Sequence, residues 1–148
     1  MKRLFPNCLP LYFCFLLSAS CAAGEPTAKP NQILPCPDSP NCVSSLSSDK
    51  AHFIEPLHYA GSLADAKQRL IDILQNTKRV RLVKIEAQYI HAEFRSLVFR
   101  FIDDIEFYFP SEESIIHIKS ASRTGYYDFG VNRRRVERLR STFEGSVK

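Results

Sequence analysis

Residues 89–109 read YIHAEFRSLVFRFIDDIEFYF, and their spacing decides the fold. In Tyr89 to Val98, Ile90, Ala92, Phe94 and Val98 alternate with His91, Glu93 and Arg95. In Phe99 to Phe109, Phe99, Phe101, Ile105, Phe107 and Phe109 alternate with Arg100, Asp104, Glu106 and Tyr108. A period of two means one face toward a core and one toward polar surroundings, so two adjacent half-buried strands are expected.

Reading outward, Val80 to Ala87 is β-branched and apolar-rich, and Ser114 to Ser120 sets Ile116 and Ile118 against Ile115, His117 and Lys119. With short connections these four segments form an antiparallel meander. Upstream, His52 to Tyr59 is a candidate first strand, held to a sheet edge by Pro56. After Gly61, Ser62 stands as an N-cap with Asp65 at the capping-box position, and Leu63, Ala66, Leu70, Ile73 and Leu74 recur at helical spacing. A last helix begins near Asn132 with Val136, Leu139 and Phe143 inward. The expected architecture is α+β: an antiparallel sheet of about five strands, order β-α-β-β-β-β-α, with two helices on one face.

The amino terminus reads differently. Lys2 and Arg3 precede an apolar run from Leu9 to Leu17 and a small-residue exit, Ser18-Ala19-Ser20. This is the pattern of a secretory signal over residues 1–20, and about ten apolar residues are too few to span a bilayer, which needs about 20. Ser18-Ala19-Ser20-Cys21 resembles a bacterial lipobox, with Ser18 where Leu is favoured, so Cys21 is the candidate for lipidation and membrane attachment. Cleavage by ordinary signal peptidase after Ala22 or Gly24 is the other reading. Residues 21–34 read as a flexible tether, leaving a single globular domain over 35–148. The expected location is the cell envelope or periplasm.

Within 148 residues, 45% are hydrophobic and 24% charged, an ordinary globular composition. The formal charge of +4 loses Lys2 and Arg3 with a signal that holds no acid, which leaves +2. A net charge that small argues for neither nucleic acid nor an anionic membrane by itself. Cys8 and Cys14 leave with the signal, so Cys36 and Cys42 remain in an oxidising compartment, where a disulfide is the default.

Four stretches together resemble a bacterial family known as domain of unknown function 1499. They are CPDSPNCVSS at 36–45, HAEFRS at 91–96, FIDDIEF at 101–107 and SASRTGYYDFGVNR at 120–133. The resemblance spans about residues 34 to 140. It implies an envelope context and brings no activity, cofactor or catalytic residue.

Two constellations carry possible chemistry. Asp103, Asp104 and Glu106 form an acidic group in which Asp103 shares the face of Phe101 and Ile105. A carboxylate there is a general acid or cation ligand, or else it turns outward at a bulge or pairs with Arg123. Asp103 and Glu106 are the candidate catalytic pair of a small hydrolase. The second constellation is the loop from Ser120 to Asn132, leading into Arg133-Arg134-Arg135. Cations in a first helical turn oppose the macrodipole, so an anion is expected to compensate them. That anion is a ligand held by Arg123, Arg133 and Arg134 with Tyr127 and Asn132 orienting it, or an internal acid among Asp103, Asp104, Glu106, Asp128 and Glu137.

No phosphate loop, dinucleotide fingerprint, two-His metal spacing or nucleophile elbow occurs, so neither cofactor nor metal is expected. The arginine run lacks interleaved aromatics, which argues against nucleic acid. The leading expectation is a non-enzymatic binding module for a small anion. A module that grips an envelope protein through its polar sheet face or edge is the other non-enzymatic reading.

Overall fold

The computed structural model describes Ile33 and residues 35–145. The signal, Cys21 and the tether apart from Ile33 lie outside the described residues. The elements in chain order are β1 (Cys42–Ser44), β2 (Leu57–His58), α1 (Leu63–Asn76), β3 (Val80–Glu86), β4 (Tyr89–Arg95), β5 (Ile102–Tyr108), β6 (Ile115–Ser122) and α2 (Val131–Gly145). The fold is α+β. The strands pair antiparallel in the order β1-β6-β5-β4-β3, and β2 shares the outer edge of β6 with β1.

The meander follows from the alternation. Ile90, Phe107 and Ile118 align across β4, β5 and β6, as do Ala92, Ile105 and Ser120 one row away. Both rows lie in the core under the two helices. Ser62 caps α1: its Oγ accepts the Asp65 N–H at 3.1 Å and donates to the Asp65 carboxylate at 2.7 Å. The helix buries Ala66, Leu70 and Leu74, while α2 buries Val136, Leu139 and Phe143. Each large apolar side chain removed from water in this way stabilises the fold by about 1.5–3 kcal/mol.

Three expectations need correction. The sheet has six strands rather than about five, because Cys42–Ser44 pairs with Ala121–Lys119 before the first expected strand. That expected strand shrinks to Leu57–His58, since Pro56 offers no N–H and Phe53 makes only an isolated bridge to Ser44. Phe99 and Phe101 do not belong to the core face: they are 75% and 53% exposed. Residues 96–101 form a closed tip between β4 and β5, with Ser96 and Phe101 exchanging hydrogen bonds at 2.9 Å. A positive φ of 56° at Arg100 breaks the alternation there. Cys36 and Cys42 stand at disulfide distance, with Cα atoms 5.8 Å apart.

Candidate functional site

The cationic first turn of α2 is compensated from inside. The Asp128 carboxylate accepts N–H bonds from Gly130 and Asn132, both at 2.8 Å, and so places an anion at the helix start. Asn132 is fully buried, with its polar atoms engaged. Its Nδ2 donates to Asn41 O, Ser122 Oγ and Asp128 Oδ2, and its Oδ1 accepts from Ser120 Oγ and Arg135 Nη1. It therefore joins the loop, the sheet and the helix.

The three consecutive arginines diverge. Arg133 donates to the Phe53 and Ala51 carbonyls at 2.9 and 2.8 Å, tying α2 to the segment before β2. Arg135 turns into the core and pairs with Asp103. Its guanidinium also lies over the Phe94 ring, 4.8 Å from the centroid. Arg134 stays exposed, giving one N–H to Phe129 O at 2.8 Å.

Asp103 thus remains on the covered face without a bulge, and its partner is Arg135 rather than Arg123. Glu106 lies on the other face, where it accepts from the Tyr89 hydroxyl at 2.8 Å and pairs with Lys119 at 3.3 Å. The sheet separates the two carboxylates, so it does not bring Asp103 and Glu106 onto one substrate atom.

Arg123 belongs to that second face. It pairs with Asp104 at 2.7 Å and with Glu93 at 2.5 Å, while Arg81 holds the same Glu93 at 2.8 Å and His91 reaches Asp104 at 2.7 Å. Hydrogen bonds from Arg81 and Arg123 hold the Glu93 carboxyl below its ordinary range. Burial pushes the Asp104 carboxyl up, but the bonds from Arg123 and His91 prevail and hold it low. The bonds to Asp104 and Glu93 in turn raise the Arg123 guanidinium above its usual value. Burial and the bond to Glu106 raise the Tyr89 phenol, which stays protonated as a donor.

The concave site lies elsewhere. A cleft of ≈ 620 Å³ opens between the end of α1, the turn into β3, the end of β4 and one side of α2 from Val131 to Thr142. Lys78, Arg79, Arg95, Arg134, Arg135 and Arg138 line it against one carboxylate, Asp72. Among the described residues only Arg135 of these six forms an ion pair. An adjoining recess of ≈ 540 Å³ shares Arg79 and Arg95 and adds Arg81 and Arg100. Of the ligand residues expected from sequence, Arg134 reaches the cleft, while Arg123, Tyr127, Asn132 and Arg133 are not in its lining. Tyr127 packs edge-to-face on Phe129, 5.1 Å between ring centres.

Among the described residues the non-glycine positions with positive φ are Arg79, Arg100 and Phe129; Arg79 and Arg100 line the cleft or recess, and the Phe129 carbonyl accepts from Arg134. Such a conformation costs about 1–3 kcal/mol each and tends to gather at working surfaces. Sequence held a usable signal for the cleft: Arg134 and Arg138 are one helical turn apart, and Lys78-Arg79 fills the turn after α1. Among the described residues no group of three or more His, Cys, Asp or Glu side chains could hold a metal ion, and no helix there is long and apolar enough to cross a membrane.

The family described as "Protein of unknown function (DUF1499)" matches residues 32–143, and the chain belongs to it. No curated protein matches the chain.

Proposed function

We propose that this member of the family is a non-enzymatic binding module for an anionic ligand, exported and held at the cell envelope by a lipid on Cys21. The observation that carries the reading is the charge of the cleft: six cationic side chains against Asp72, five of them in no ion pair with a described residue. Cations gathered in a concave, partly apolar site raise the local concentration of anions and donate charge-assisted hydrogen bonds. Arg134, Arg138, Arg79 and Arg95 are the binding residues on this reading. Arg123, Arg133 and Asn132 support them by fixing the sheet, the segment before β2 and the loop that precedes α2.

Calorimetric titration of the full chain with inorganic phosphate and pyrophosphate tests it. Saturable binding is expected, weakened about tenfold for each of Arg134→Ala and Arg138→Ala, since hydrogen bonds to charged groups are worth roughly 1.5–3 kcal/mol. Glu137→Ala, on the same helix and outside the cleft lining, leaves it unchanged. Equal affinity in all three variants refutes the cleft as the site.

A further inference from the structure

The same end of the molecule carries an unusual apolar surface. Leu97, Val98 and Phe99 at the tip between β4 and β5 are each more than 70% exposed, and so are Tyr126 and Phe129 in the loop before α2. The two loops are neighbours, because Asp103 pairs with Ser122 and the Arg123 N–H bonds to Ile102 O at 3.1 Å. Phe99 stacks on Phe101, 5.5 Å between ring centres. Large aromatic side chains held in water at two adjacent loop tips are not explained by the core, which lies below them under the helices.

Charge is distributed along the same axis. The cations of the cleft and recess, Arg79, Arg95, Arg100 and Arg134 among them, surround the base of these tips. The opposite end of the sheet, where β5 turns into β6 and α1 begins, carries Asp65, Glu112 and Glu113. A domain so polarised orients in a field, basic end toward a negative surface.

The start of β1 is fastened at the basic end. Asn41, just before β1, donates from its side chain to Gly125 O, and its own carbonyl accepts the Ser122 N–H at 3.1 Å. Asn41 therefore ties the start of β1 to the loop that carries Tyr126 and Phe129.

We infer that the basic end docks on an anionic lipid surface, with Leu97, Val98, Phe99 and Phe129 entering the interfacial layer and the surrounding arginines meeting lipid phosphates. The inference rests on the cleft reading for its charge and on the two exposed tips for its depth. Apolar groups flanked by cations are what an anionic bilayer interface accepts, its headgroups answering the charge and its acyl boundary the aromatics.

The chain has no tryptophan, so single replacements give clean reporters. Phe99→Trp and Phe129→Trp report the tips, and Glu112→Trp reports the opposite end, all in the full chain and checked by far-ultraviolet circular dichroism. With vesicles containing phosphatidylglycerol, emission from positions 99 and 129 is expected to shift blue. Brominated lipids should quench both at a depth of about 5–10 Å. Position 112 should stay as in buffer, whatever holds the amino terminus. Adding Arg95→Ala or Arg100→Ala to Phe99→Trp should raise the lipid needed for half-maximal quenching about fivefold per cation removed.

Water-like emission from both tips in these vesicles overturns the inference, and phosphate titration of the same sample then judges the cleft separately. Equal insertion into pure phosphatidylcholine overturns it too, by removing the role of charge. Shielding without vesicles that grows with protein concentration assigns the tips to contact between copies, and the inference fails.

Discussion

Asp103 on β5 and Arg135 on α2 form an ion pair inside the core, with side chains 7% and 12% exposed. The carboxylate lies in the row of Phe94 and Ser122, under the helix and away from the charged face of the sheet. Arg135 also donates through Nη1 to Asn132 Oδ1 and Ser120 Oγ and lies over Phe94. The pair joins helix to sheet beside the cleft, and Arg135 reaches both.

Removing one partner leaves a buried charge without compensation. Asp103→Ala is expected to cost about 3–5 kcal/mol in urea denaturation. Combining it with Arg135→Met should recover much of that loss, because an apolar pair of similar volume avoids desolvating two charges. A double variant as unstable as the single one would show that Arg135 matters mainly through Asn132 and Ser120.

Asp128 supplies the anion that the start of α2 requires. Asp128→Ala should destabilise the domain by at least about 1 kcal/mol, the usual worth of an N-cap, because Asn132 also loses an acceptor. Asp128→Asn keeps an acceptor and should cost less. If thermal melting shows no difference between either variant and the wild type, the arginine turn is stabilised by something other than Asp128.

Acid should weaken the fold in two stages. A carboxyl whose folded pKa lies below its unfolded value stabilises the protein above the unfolded value, and loses that stabilisation as pH falls through the folded one. Glu93 and Asp104 therefore contribute fully above about pH 4.5 and fade below it. His117 is held low by burial, against a smaller opposing pull from Glu113, so its contribution begins to fade earlier, below about pH 6.5. Arg123→Ala should be less stable than wild type at pH 7, and the gap should close toward pH 2. A gap of constant size across urea titrations at several pH values would mean that Arg123 acts by packing and not by charge. His117→Gln should abolish the first stage alone.

The fold was legible in the sequence wherever one periodicity ran long enough. Alternation in β4, β5 and β6 names the covered residues, and Ser62 with Asp65 marks the start of α1, because period and capping are local and each needs only a few neighbouring residues. The alternation fails at Phe99 and Phe101, where apolar residues continue the pattern past the last row the helices cover. A period of two says which side a residue takes and nothing about where the cover ends.

The site was less legible, since charges choose partners through space. From sequence, Arg123 was the partner named for Asp103 among several alternatives, a bulge or a catalytic or ligand role being the others, and Arg133-Arg134-Arg135 formed one cluster. In the fold, a pleat separates Asp103 from Arg123, and successive helical positions about 100° apart send three adjacent arginines to a carbonyl pair, the open cleft and the core. The sequence by itself determined the α+β meander, the family and the cysteines able to bridge, because these rest on local pattern. Only the tertiary structure decided which cations are consumed by internal acids and which remain at the rim. Ion pairing depends on distances of a few ångströms between residues up to 32 positions apart, such as Asp103 and Arg135.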